Sequence, residues 1–434
     1  MKICMFTNTY LPHVGGVARS VSSFAEDLQR MGHAVRVVAP TYPDATESEI
    51  GGKVPVFRVP AIQNFNGSDF SVRIPVPFII DEQIDRFDPD LIHSHHPFLL
   101  GDAAIRAAQG RGLPLVFTHH TLYERYTHYV SADSEVMRRF AIRLSTEYAN
   151  LCSHVIAPSE SVAELLRKRG VHQPVTEIPT GVDVEFFGNG SGDQFRSDHG
   201  IPPDAPVIGH LGRLAPEKNL GYLTDAVVGP LRDRPDLRFL VVGDGPSRAE
   251  MARRFADEGL TDQVILAGKL TGRSLSDAYH AMDLFIFSSC SETQGMVLTE
   301  AMAAGNPVIA LDAPGAREVV EDDRNGRLLP SDAPPEAFSK AVGEALDAPD
   351  TRRRWSEAAR RTAEAFSRSA CTKKLSDLYE SLVRRERRQE EDLDLGAWDE
   401  MLRGIRAEWD LLSQKASAVV GLVRTEAGDE AELD

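Results

Sequence analysis

Two carboxylates, Glu292 and Glu300, bracket a short Gly-containing turn in SETQGMVLTEAMAAGNPV (291–308), and that turn opens an alanine-rich helix. The apolar run LFIFSS (284–289) precedes it, so the turn lies where a strand hands over to a helix. A helix start offers unpaired backbone N–H groups and the positive end of a dipole, which together receive a phosphate or a sugar rich in hydroxyls. Carboxylates repel the phosphate itself, but they accept hydrogen bonds from hydroxyls carried with it, such as those of a ribose or a hexose. An ordinary solvated helix N-terminus would favour the same acids through the dipole alone.

The elements that must hold this turn repeat along the chain. Two halves show the same alternation of short apolar strands with amphipathic helices, which signals parallel sheets covered by helices on both faces. KICMFTN, AVRVVAP, DLIHSH, LPLVFTHH and HVIAPS are the strands of the first half, and PVIGHLG, RFLVVGD, QVILAGK, LFIFSS and NPVIALD those of the second. The helix in SVSSFAEDLQRMG puts Val21, Phe24, Ala25 and Leu28 on one stripe and stops at Gly32. Ligands of open α/β sheets bind outside the carboxyl ends of the strands. Those ends carry Thr7, Asn8, Gly15 and Gly16, then His93, His95 and His96, then His119 and His120 in the first half. In the second half they carry Arg213, Lys218, Gly243, Gly245, Lys269 and the Glu292 to Glu300 turn.

GRLAPEKN (212–219) sets Arg213 and Lys218 just past a strand, and FLVVGDGP (239–246) ends another strand in a Gly-rich turn. With PHVGGVARSV near the N-terminus, IPTGVD (178–183), and the two glutamates with seven residues between them followed by EAMAAGNPVIA, the sequence resembles the family-4 glycosyltransferases over roughly residues 1–383. That family comprises retaining enzymes of the GT-B architecture. The resemblance implies two Rossmann-like, doubly wound domains facing across a cleft, with a last helix near 369–385 crossing back to the first. The expected divisions are 1–187 for acceptor binding, 188–368 for the nucleotide sugar, the crossover helix 369–385, and an extension over 386–434. FGNGSGDQFRSDHGIPPDAP, rich in Gly, Asn, Asp and Pro, reads as the linker and hinge.

Roles follow from the resemblance residue by residue. Arg213 and Lys218 would meet the charge that grows on a departing nucleoside diphosphate, so no metal ion or other cofactor is expected. Glu300 would take the ribose hydroxyls and Glu292 a hydroxyl of the transferred hexose. Gly15, Gly16, Gly243, Lys269, Gly295, Met296 and Val297 would complete the donor site. His120 aligns with the family histidine beside the anomeric centre, cast as a positioning and charge-stabilising group. HSHHPFLLG, HHTLYERYTHYV and SETQG look most like the diacylglycerol α-glucosyltransferases, which implies UDP-glucose as donor, a lipid acceptor, and His95, Tyr123, Glu124 and Tyr126 as acceptor contacts. A soluble sugar, polyol or phosphorylated acceptor is the alternative, and a sugar-nucleotide binder without turnover is a third. Phe65, Phe70, Val76, Phe78, Ile79 and Ile80 would supply an apolar acceptor mouth, in which Arg73 is the one cation of QNFNGSDFSVRIPVPFII.

Composition bounds the rest. A net charge of −17 argues against nucleic acid as a partner. No apolar run is long enough to span a bilayer and MKICMFTN reads as a first strand, so a cytoplasmic protein is expected, with peripheral contact at the inner face of the membrane if the acceptor is lipid. Cys4, Cys152, Cys290 and Cys371 are widely separated, and the five clustered histidines lack a Cys or a spaced second motif to complete a zinc set. No GxGxxG follows the first strand, which counts against a nicotinamide or flavin enzyme. Trp398, Leu402, Ile405, Trp409 and Leu412 fall on one face of a helix over 397–412, a surface for docking on this chain or on a second copy, and TEAGDEAELD reads as disordered.

Overall fold

The computed structural model describes residues 1–13, 15–42, 54–62, 72–73, 77–125 and 135–391. The chain divides into two compact units, one comprising Met1–Pro179 with the chain from Cys371 onward and the other Thr180–Ala370. In the first unit the strands β1 (Lys2–Phe6), β2 (Ala34–Pro40), β3 (Val56–Val59), β4 (Leu91–Ser94), β5 (Leu115–Thr118), β6 (His154–Ala157) and β7 (Val175–Glu177) form one sheet in the order β3-β2-β1-β4-β5-β6-β7. Every pairing is parallel, with Ile3 opposite both Val35 and Leu91. The second unit carries β8 (Val207–Leu211), β9 (Arg238–Val242), β10 (Val264–Gly268), β11 (Leu284–Phe287), β12 (Val308–Leu311) and β13 (Gly326–Leu329), also all parallel, in the order β10-β9-β8-β11-β12-β13.

The period of two along each strand explains why both faces are covered. In β1, Cys4 and Phe6 pack into one core with Ile92, Phe117 and Tyr148, whereas Ile3 and Met5 pack into another with Val21, Phe24, Leu91 and Val116. The second unit repeats the device: Phe285 and Phe287 face one core, Leu284 and Ile286 the other. The edge strands β3, β7 and β13 are absent from the sequence reading because each is short and lacks a continuous apolar run. The amphipathic helix is found at Gly16–Arg30, with Val21, Phe24, Ala25 and Leu28 buried.

The compact units part at Pro179/Thr180, and the segment read as a hinge is packed. Helices Val184–Gly188 and Gly192–Asp198 lie against the helix Arg273–His280 within the second unit. A Cβ on Gly190 would come 2.2 Å from the His280 ring, and one on Gly192 would come 2.1 Å from the His280 carbonyl oxygen. The glycines therefore serve close packing, not flexibility. Ser191 N–H also donates to Asp277 Oδ1 at 2.6 Å.

From Cys371, the last helix (Arg368–Glu391) belongs to the first unit, where Cys371, Leu375, Tyr379, Leu382 and Val383 join the core containing Ile3 and Met5. Tyr379 is fully buried, and its hydroxyl lies 2.5 Å from His93 Nδ1. Replacing Tyr379 by Phe keeps the ring but strands a buried imidazole nitrogen, so a loss of about 1–3 kcal/mol is expected. Urea unfolding of the full chain checks it, and an unchanged midpoint would show that the bond adds nothing. The 397–412 helix and the tail lie outside the described residues, as do Phe65, Phe70, Val76 and Tyr126.

Candidate functional site

In each sheet the chain order reverses at one place, between β1 and β4 in the first unit and between β8 and β11 in the second. Loops leaving neighbouring strands part there, and that opening is where ligands of such folds bind. Both reversals carry side chains that tie one loop to the other.

In the first unit Asn8, just past β1, donates its N–H to His96 Nδ1 at 3.1 Å. Its side chain donates to the Phe98 carbonyl at 3.1 Å and accepts from Leu100 N–H at 3.1 Å, serving the start of the helix Leu100–Arg111. At the ends of β4 and β5 the histidines form a layered cluster. His93 Nε2 lies 2.7 Å from Thr118 Oγ1, the His93 and His95 rings are 4.0 Å apart, and His95 Nδ1 lies 2.9 Å from His120 Nε2. His119 is buried, with no hydrogen-bond partner among the described residues at either ring nitrogen.

Burial pushes His93 and His96 down to about 3 and His119 to about 4, and it holds His95 and His120 well below the ordinary histidine range. All five are neutral at pH 7. A desolvated, neutral His120 would position groups and stabilise charge through its dipole and its hydrogen bonds, without a net charge of its own. Among the described residues no three His, Cys, Asp or Glu side chains are placed to hold a metal ion.

The expected acceptor contacts separate in the structure. His95 is fully buried, so its side chain can reach a ligand only through His120. Glu124 is committed to Arg169, with Oε1 2.6 Å from Nη2 and side chains only 12% and 15% exposed. Tyr123 is partly exposed; its ring packs edge-on against Phe98 and His119, and burial pushes its hydroxyl above the usual range. Ile80 is 3% exposed and lies in the core with Ile84, so it cannot line an apolar mouth.

The second unit brings most of the expected donor residues to one edge. Lys218, past β8, reaches across the reversal to Glu292, past β11, with Nζ and Oε1 2.5 Å apart. Arg213 is more open, 3.9 Å from Glu217 Oε1 with 52% of its side chain exposed, so that pair contributes about 0–1 kcal/mol and yields readily. Gly295, at φ +70°, starts the helix Met296–Ala303, where Met296 and Val297 are half-buried. Glu300 is 4% exposed and accepts from the Tyr279 hydroxyl at 2.9 Å. Gly243, at φ +137°, lets β9 turn against the β8 loop, since a Cβ there would sit 1.9 Å from the Gly212 carbonyl oxygen. Lys269 is exposed just past β10.

Three residues here were not read from the sequence. Tyr279 orients Glu300 from 21 positions away, with no local signal to betray it. Gln294 accepts from Thr180 N–H at 2.8 Å and donates to the Thr180 carbonyl at 2.6 Å, fastening the IPTGVD loop to the donor turn. The Gln of SETQG and IPTGVD were both noticed as motifs, and their joint appearance was the available hint. His210 is buried, with Nδ1 3.2 Å from the Ile286 carbonyl oxygen, and burial pushes it down to about 4.

Two doubly wound units with polar side chains tied across each reversal define a nucleotide-handling α/β protein. Residues 14–186 match Glycosyltransferase Family 4 and residues 191–362 match Glycosyl transferases group 1. The chain is 32% identical over 391 residues to a GDP-mannose-dependent alpha-mannosyltransferase of Mycolicibacterium smegmatis, covering 89% of this chain and 98% of that one. It is 30% identical over 335 residues to an alpha-monoglucosyldiacylglycerol synthase of Streptococcus pneumoniae, covering 76% and 75%. The structure of Anabaena Alr3699/HepE in complex with UDP-glucose superposes with a TM-score of 0.71 at 21% identity, over 88% of this chain and 100% of that one. The chain belongs to glycosyltransferase family 4 and has the GT-B fold. No helix among the described residues is long and apolar enough to cross a membrane.

Proposed function

We propose that this chain is a metal-independent, retaining hexosyltransferase that moves glucose from UDP-glucose to a hydroxyl of diacylglycerol. The observation that carries the donor half is the Lys218–Glu292 pair across the β8/β11 reversal, with Glu300 enclosed on the following helix. Lys218 and Arg213 meet the diphosphate, Glu292 and Glu300 accept from hydroxyls of hexose and ribose, and backbone N–H groups around Gly295 supply neutral donors. The bond from the anomeric carbon to the diphosphate breaks as the acceptor oxygen bonds on the same face. The acceptor's proton passes to the departing phosphate oxygen. Neutral His120 orients the reacting groups by hydrogen bonding.

The lipid acceptor is supported by the HHTLYERYTHYV and SETQG blocks and by the similarity to the pneumococcal synthase. The mycobacterial relative, matched over almost its full length, favours a second reading in which GDP-mannose is the donor. Purified protein with EDTA, given UDP-glucose or GDP-mannose with diacylglycerol in mixed micelles or with soluble acceptors, separates them. An α-glucosyl diacylglycerol from UDP-glucose is expected. Transfer from GDP-mannose alone, transfer to soluble acceptors alone, or activity that returns only with added metal would each overturn the corresponding part.

Glu300→Ala is expected to weaken UDP binding by about 1.5–3 kcal/mol, because bonds to ribose are lost together with the hydrogen bond from the Tyr279 hydroxyl. Tyr279→Phe should lose less, since the carboxylate remains. Titration calorimetry with UDP measures both, and wild-type affinity in Glu300→Ala would remove Glu300 from the donor site.

A further inference from the structure

We propose that His95 is the positioning residue for His120: it donates its Nδ1–H to His120 Nε2 and so fixes the proton of His120 on Nδ1. The inference rests on the reading above that His120 contacts the reacting groups.

The argument starts from the 2.9 Å separation between His95 Nδ1 and His120 Nε2. Both rings are neutral, so one shared proton lies between these atoms and either ring could be its owner. The far side of His95 decides. His95 is fully buried, and its Nε2 has no hydrogen-bond partner among the described residues. If His120 owned the shared proton, the proton of His95 would sit on Nε2 as a buried N–H with nothing to donate to. If His95 owns it, Nε2 is a bare acceptor instead. Orphaned buried N–H groups are rarer than under-satisfied acceptors, so the second arrangement is favoured. The neighbouring rings leave His95 no other orientation role: His93 packs tilted against it at 4.0 Å while spending its own nitrogens on Thr118 and Tyr379, and His96 spends Nδ1 on Asn8.

The consequence for chemistry is specific. With Nε2 accepting from His95 and Nδ1 protonated, His120 has no free lone pair and cannot take the acceptor's proton. It can donate from Nδ1 to an oxygen, whether of the hexose or of the departing phosphate. His95 thus sets His120 as a hydrogen-bond donor and excludes it as a base.

Nitrogen-15 NMR of histidine-labelled full-length protein near pH 7.5 reads the tautomer directly. The wild type is expected to show His120 protonated on Nδ1. His95→Asn, whose amide nitrogen falls near the position of Nδ1, should keep that signature and most of the turnover. His95→Phe should give mixed tautomers and lower kcat for UDP-glucose by about tenfold or more, with KM little changed. A wild-type His120 protonated on Nε2, or an unaltered signature in His95→Phe, would overturn the proposal. Should His95→Phe fail to fold, the wild-type spectrum still decides. Full turnover in His120→Ala would instead remove His120 from the site, leaving the tautomer assignment to stand or fall on the spectrum.

Discussion

Lowering the pH from 6.5 to 5 is expected to destabilise the first unit by roughly 5–8 kcal/mol, comparable to the whole stability of a domain. The cause is the imidazole cluster. His93 and His96 titrate at about 3 and His119 at about 4 in the folded chain, against about 6.5 when exposed. Between these limits the unfolded chain binds protons that the folded chain cannot. Their burial is therefore harmless above pH 6.5, and stability is lost as the pH falls toward 3–4. Each such histidine contributes about 1.4 kcal/mol per pH unit inside that window. The second unit has His210 as its strongly lowered histidine among the described residues, so it should respond less. Hydrogen exchange followed by mass spectrometry, with intrinsic rates corrected for pH, would report strands β4 and β5 losing protection well before β8 and β11. Equal loss in the two units would sink the idea. His119→Phe gives a sharper check, since among the described residues His119 makes no side-chain hydrogen bond that Phe would forfeit, and it should flatten the dependence by about a fifth.

That cluster shows where the sequence was informative and where it fell silent. HSHH and THHT could be placed at strand ends from the pattern alone, because alternating apolar runs mark the strands and ligand loops follow them. Whether the imidazoles would be exposed, charged or metal-bound depended on what packs over them. The covering residue nearest His93 is Tyr379, 286 positions away, and nothing in the local sequence joins the two. Glu124 shows the same limit, since Arg169 claims it from 45 positions away. The donor edge was more legible because its parts are short, local turns: GRLAPEKN, FLVVGDGP and SETQG each declare a strand end. The glycines at 188–192 misled for a definable reason. A glycine needed for close packing against a helix and one needed for a flexible joint are the same letter, and the difference lies in His280.

Lys218→Ala is expected to lower turnover by about 10²- to 10³-fold, the size of effect seen when one preorganised group facing developing negative charge is removed. The structure sharpens what such a loss would mean. Lys218 and Glu292 are 2.5 Å apart, with side chains only 19% and 18% exposed, so removing the lysine also leaves a carboxylate without its partner. A purely structural pair would behave differently from a working one under double substitution. If the pair only holds the β8 and β11 loops together, taking away both charges relieves the stranded carboxylate, and Lys218→Ala with Glu292→Ala should turn over faster than Lys218→Ala alone. If Lys218 meets the departing diphosphate while Glu292 holds the hexose, the second substitution removes a further contact and the double variant is no better than the single one. Arg213 supplies an internal comparison. It is more exposed and more weakly paired than Lys218, so a loss of rate in Arg213→Ala would reflect the diphosphate more directly. Single-turnover rates at saturating UDP-glucose, measured for the three variants, distinguish these cases. Recovery of rate in the double variant, together with a wild-type rate in Arg213→Ala, would show that the cations of this edge serve the fold and not the reaction.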